Sequence, residues 1–245
     1  MLLSIFTNMW DIISGWLNQL LKGIGITLLL SLAGTIVGLF LSFILVALRM
    51  QKIQKNDKKI VIFFKKVGQA FAKTYVTVVR GTPMIVQAMI IYYGVNRLFN
   101  GNFSLPPLTA GLITVSLNTT AYLAEVVRGG IQSIDKGQEE AARSLGLSKG
   151  QTLRYIIFPQ AIKNSFPSIG NEFIVNVKDT SILSVIQVVD LYRVAYKAGA
   201  ANSTQFEAML VAAFIYLILT YTTSKILIMI EKRMNMEVKE LPSSN

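Results

Sequence analysis

The chain has 245 residues, is 52% hydrophobic, carries a formal net charge of +11 and has a mean hydropathy of +0.50, too apolar for an ordinary soluble domain. It contains no cysteine and no histidine, which excludes a disulfide framework, a thiolate or imidazole metal site and the commonest general base. The apolar residues form long blocks with basic residues between them, so the positive charge points to anionic lipid and not to nucleic acid.

At the start, Leu2, Ile5, Phe6, Met9, Ile13, Trp16, Leu17 and Leu20 recur at helical spacing, with Trp10 nearby. This predicts an amphipathic helix over residues 1–22 lying on the outer membrane interface. No cleaved signal peptide is expected, because the apolar run starts late and no small-x-small site follows it. Ile24–Leu48 then runs without a charge. It is long enough for a bilayer core of about 30 Å, which takes roughly 20 helical residues. Gly34, Gly38 and Ser42 recur every four residues in it and permit close helix contact. Residues 49–80 read as a loop whose Lys52, Lys55, Lys58, Lys59, Lys65 and Lys66 meet lipid headgroups.

Three more polar candidates for spans follow at 83–96, 107–127 and 166–186, and a long apolar one at Phe206–Ile230. Thr82-Pro83 suits a helix start, where proline sacrifices no hydrogen bond. Between these spans Lys and Arg number one, nine, one, six, two and four in chain order, with Lys178 inside the fourth span. That alternation predicts five transmembrane helices, an N-terminus outside and a C-terminus in the cytoplasm. The fold class expected is therefore an all-α integral membrane protein, one transmembrane unit over 1–245, with its main inner loop at 128–163.

That loop contains Leu147-Ser148-Lys149-Gly150-Gln151, which resembles the signature loop of an ABC-type ATPase. Such a loop works only beside a phosphate-cradling Gly-Lys segment, and the chain has no Gly-Lys dipeptide. The chain is therefore not expected to be an enzyme. The local grammar instead predicts a helix over Gln138–Leu145, a left-handed turn at Gly146, and a second helix opened by a Ser148/Gln151 capping box and disturbed at Pro159.

The fourth span carries Asn171, Glu172, Asn176, Lys178 and Asp179. Each charge costs about 2.5–3.5 kcal/mol at mid-bilayer, so these side chains must face protein or water. A zwitterionic amino acid needs acceptors for its ammonium, which Glu172 and Asp179 supply, and donors for its carboxylate, which Lys178, Asn171 or exposed backbone supply. Internal pairing of Lys178 is the competing explanation. Asn176 stands where an aliphatic residue is expected and is counted with the substrate candidates. Gln87 and Asn118 are further candidates, with interhelical hydrogen bonding as the plainer role. Glu125 and Arg128 form a local ion pair by spacing.

Glu140-Ala141-Ala142, Gly146, Ile156 and Pro159 resemble the EAA loop of ABC-importer permeases, E-A-A-x3-G-x9-I-x-L-P, with Phe158 in place of the leucine. "YVTVVRGTPMIVQ" (75–87), "TAYLAEVVRGGIQSI" (120–134) and "GNEFIVNVKDTSILSVI" (170–186) resemble segments of its polar amino-acid branch, in the same order. The resemblance implies a bacterial inner-membrane, multi-pass permease that imports polar or charged amino acids: arginine, histidine, lysine, glutamine or cystine-like. It implies pairing with an identical or similar permease, two ABC ATPase subunits on Glu140, Ala141, Ala142, Gly146, Ile156 and Pro159, and an extracytoplasmic solute-binding protein. ATP and Mg would bind the ATPase, and this chain would hold no cofactor. The alternative from the residues alone is an ATP-independent channel or ion-coupled transporter, which would have no use for such a loop.

Overall fold

The computed structural model describes residues 2–239, and their regular structure is entirely helical. Helix α1 (Leu2–Arg49) is one uninterrupted helix of 48 residues, about 72 Å long at 1.5 Å per residue. The separate interfacial helix expected over 1–22 is corrected: residues 2–22 are the first turns of α1. Nothing in the sequence stops the helix there, since the stretch holds isolated glycines and no proline. Its Ile12 and Leu20 are buried against later parts of the chain, which pins them to the bundle.

Residues 49–80 are corrected too, because α2 (Lys59–Arg80) fills most of the expected loop. Its wheel has three faces. Ala72 and Val76 are buried, Ile60, Phe63, Phe64, Val67 and Phe71 are exposed, and Lys59, Lys66 and Lys73 lie beyond them. Only an apolar surrounding makes the second face stable. The chain turns by 108° through Gly81-Thr82-Pro83 into α3 (Met84–Leu98), which at 15 residues is about 22 Å long and too short to cross a bilayer alone. Helix α4 (Pro107–Gln132) begins with proline at its first position.

Two short helices follow, α5 (Lys136–Ser144) and α6 (Lys149–Thr152). A π-helical turn over Leu153–Ile157 leads straight into α7 (Phe158–Asp179), which passes into a 3₁₀ segment over Thr180–Ile186. Helix α8 (Leu191–Asn202) starts where Asp190 accepts the Arg193 N–H at 3.0 Å, and α9 (Gln205–Lys239) closes the fold.

Among the described residues α1, α4 and Gln205–Met234 of α9 are long and apolar enough to cross a membrane, and the bent α2–α3 pair meets that standard only when its two helices are taken together as one broken span. The polar α7 does not meet that standard. Three apolar clusters stack along α1. Ile12 and Leu20 meet Leu191, Val194 and Val211; Leu30 meets Met84, Val115 and Leu183; Leu45 and Val46 meet Ala72, Val76 and Val127. Helices α1 and α4 approach closely at Gly38, where a Cβ would stand 3.0 Å from Thr119.

Candidate functional site

The elbow formed by α5 and α6 is held by local hydrogen bonds more than by packing. Asp135 caps α5 by accepting the Gly137 N–H at 2.6 Å. Gly146 has φ +86°, and Leu147 N–H reaches back to the Ala142 carbonyl at 3.2 Å. This satisfies an orphan carbonyl at the helix end, and only glycine adopts the turn without strain. Ser148 and Gln151 then exchange two bonds, Gln151 N–H to Ser148 Oγ and Ser148 N–H to Gln151 Oε1. Of the two alanines, Ala142 is buried inside the elbow and Ala141 faces outward, beside exposed Glu140 and Gly146. Leu145 is 84% exposed and Tyr155 60% exposed. Those two apolar side chains were not singled out from the sequence.

Pro159 disturbs the second helix as expected, but without ending it, since α6 gives way to the π-helical turn just before it. The Phe158 N–H donates to the Leu153 carbonyl, five residues back, and this widened turn accommodates a residue that lacks an N–H. Ile156 is half-buried. Phe158, the departure from the motif, sets its ring 5.4 Å from that of Phe43 on α1.

The polar residues separate into two groups. Asn176 is 2% exposed; its Nδ2 donates to Thr35 Oγ1 and Thr119 Oγ1, both at 2.9 Å, and its Oδ1 accepts from Thr119 at 3.2 Å. Its amide joins α1, α4 and α7. Gln87 Nε2 lies within 3.0 Å of Val79 O, Thr82 O and Thr82 Oγ1, and its Oε1 accepts from Asn118 at 3.1 Å. This pair fastens the α2–α3 corner to α4.

Beside that corner the charges gather. Arg80, the last residue of α2, places its guanidinium 5.3 Å above the Tyr122 ring, one turn along α4 from Asn118. Glu172 is half-buried on α7, and the charges acting on it are those of Asp179 and Arg80. Glu172 and Asp179 are seven residues apart, two turns along one face. Asn171 and Lys178 are exposed, and Lys178 is the charge acting on Asp179. Arg80 is the member that sequence reasoning passed over. Its signal was a charge directly before a Gly-Thr-Pro helix break.

Toward the elbow, Glu125 takes Arg49 of α1 on one carboxylate oxygen and Arg128 on the other, at 2.5 and 2.9 Å. The pair expected within α4 is thus a triad that also holds the end of α1. Among the described residues no group of three or more acidic side chains is placed to bind a metal ion.

Residues 60–236 match the family described as "binding-protein-dependent transport system inner membrane component". The chain belongs to this family of transport permeases. This permease is 40% identical over 168 residues to the glutamine transport system permease protein GlnP of Escherichia coli K12, covering 69% of this chain and 76% of that one. It is 38% identical over 200 residues to the arginine transport system permease protein ArtQ of Bacillus subtilis, covering 82% and 85%. The nopaline permease NocM of Agrobacterium fabrum is 33% identical over 225 residues, covering 89% and 88%. Among solved structures, an amino acid ABC transporter crystallised with histidines superposes with a TM-score of 0.80 at 37% identity, over 90% of this permease and 96% of that chain. The methionine transporter MetNI shares the fold, with a TM-score of 0.71 at 16% identity.

Proposed function

We propose that this permease forms one half of an ATP-driven importer for polar or charged amino acids, in which two separate ATPase subunits move the elbow. It pairs with a second identical or similar permease and receives substrate from an extracytoplasmic binding protein. Its N-terminus stands outside, its C-terminus in the cytoplasm, and α7 completes a set of five crossings. The observation that carries this reading is the continuity of α6, the π-helical turn and α7. A displacement of the elbow is transmitted along α7 to Glu172, 13 residues beyond Pro159 and about 20 Å away.

The site lies about Arg80, which stands over Tyr122, and Glu172, on which the charges of Arg80 and Asp179 both act. Arg80 offers a planar, always-charged donor for the substrate carboxylate. Glu172 takes the ammonium, and Asp179, two turns along, favours a basic or amide side chain. Rocking of α7 alters the spacing between these charges and α2, which exposes the site first to one side and then to the other. Relatives named for glutamine and arginine transport, and a structural neighbour holding histidines, support that substrate class.

The test is uptake of labelled glutamine and arginine into vesicles holding the permease, its ATPase and its binding protein. Uptake requires enclosed ATP and stops without the ATPase. Equal uptake by the permease alone refutes the reading and favours a channel.

A further inference from the structure

A cavity of about 630 Å³ lies under the elbow, between the end of α1, the end of α4 and the π-helical turn. Its size is that of an ordinary small-molecule site. Phe43, Val46 and Met50 of α1, Val127 and Ile131 of α4, and Ile157 supply apolar walls. Lys52, Lys136 and Lys149 also line it, with Asp135 and Glu139. Asp135 is already engaged as the cap of α5. The three ammonium groups form no ion pair among the described residues.

A soluble metabolite would waste the walls, and a neutral apolar body would waste the lysines. We propose that the cavity holds an anionic phospholipid, with one acyl chain between α1 and the π-helical turn and its phosphate on Lys52, Lys136 and Lys149. The place suits it. α1 and α4 are membrane spans by length and apolarity, and the cavity sits at the end of both. Polybasic sites at such a boundary select acidic headgroups. A chain filling this space forms part of the surface on which the elbow rests, so lipid composition sets how stiffly elbow motion reaches α7. The proposal rests on the elbow standing at a bilayer surface, as the proposed function requires.

The chain has no cysteine, so a single introduced thiol reports on one place. Ala47→Cys lines the cavity, and Ile44→Cys lies about one turn away outside it, on an exposed part of α1. Each full-length variant is placed in nanodiscs of phosphatidylcholine or of phosphatidylglycerol, without ATPase, and reacted with a maleimide. The expected result is labelling of Ala47→Cys about tenfold slower in phosphatidylglycerol, beyond any change at Ile44→Cys, and recovery when Lys52, Lys136 and Lys149 are changed together to Gln. Glu139→Gln strengthens the protection. Equal slowing at both positions, or protection unaffected by the lysine changes, overturns the proposal. Protection that arises only when ATPase is added makes the cavity a protein's seat and overturns it as well. Because the ATPase is absent from the main measurement, failure here is distinct from failure of elbow coupling, which uptake reads.

Discussion

Substitutions at Gly146 separate the elbow's geometry from its surface. The backbone there has φ +86°, and nothing lies within 4 Å of the position a Cβ would take. A side chain therefore meets no clash and costs only conformational strain, about 1–2 kcal/mol for an ordinary L residue and more for a β-branched one. The elbow has little with which to resist, since α5 buries only Ala142 and α6 only Thr152. Roughly 1–2 kcal/mol is a factor of about 5–30 in the population of the intact turn. Asparagine tolerates the left-handed region, so activity should fall in the order Gly146→Asn, Gly146→Ala, Gly146→Val, while melting of the detergent-purified chain stays constant. The assays are ATPase copurification and ATP-driven uptake, measured on the same preparations. Full activity in Gly146→Val would refute the strain argument. Equal loss in Asn and Val would mean that bulk on a docking surface, and not the turn, is what matters.

Further predictions concern the charges and the packing. Arg80→Gln and Glu172→Gln should each lower uptake by about tenfold or more while ATPase copurification survives, and unchanged uptake in both would remove the corner as the substrate site. Asn176→Ala breaks the links to Thr35 and Thr119 and should destabilise the purified chain by about 1–2 kcal/mol, at the usual value of well under about 1 kcal/mol for each membrane hydrogen bond. Substrate preference should not change; a shifted preference with an unaltered melting temperature would put Asn176 in the substrate site. Gly130→Ala places a Cβ 2.8 Å from the Ala161 carbonyl and 2.0 Å from Ser165 Oγ. It should cost about 1–3 kcal/mol, with only partial rescue by Ser165→Ala because the carbonyl is backbone. Lys65 at 2.6 Å, then the Gln54 N–H at 2.8 Å, hold the Asp57 carboxyl below its ordinary value. A depressed native value stabilises the loop above about pH 3.9 and is lost as pH falls through it. Protection of the Gln54 amide, corrected for intrinsic exchange, should therefore hold from neutral pH to about pH 5 and decline below about pH 4; Asp57→Asn should abolish the decline.

The parts of this permease that could be read from sequence are those decided by near neighbours. Gly146, Ser148 and Gln151 specify a turn and a cap within six positions, and the structure shows both. α1, α4 and α9 declare themselves by apolar length alone. Helix α2 does not, because lysine density dominates any window over 52–73 and conceals a third, lipid-compatible face. Helix α8 is equally hidden, since Leu191, Val194 and Ala198 acquire their meaning only against Ile12 and Leu20 of α1.

The polar residues show why direction is harder to read than content. Glu172, Asn176 and Asp179 share one stripe by helical spacing, yet Asn176 is sealed by two threonines and the two acids are half open. A stripe about α7 is wide enough to face two environments, and which side is wet depends on where α1 and α4 lie. Arg80 was obscure for a related reason. It was counted among the nine basic residues of a loop, where charge signifies topology. Its place at the end of α2, just before the 108° turn, sets it over Tyr122 and in the field of Glu172 instead. A cation there, over Tyr122 and within the field of Glu172, uses the same residue type as a headgroup anchor and differs from one only by what the fold sets opposite it.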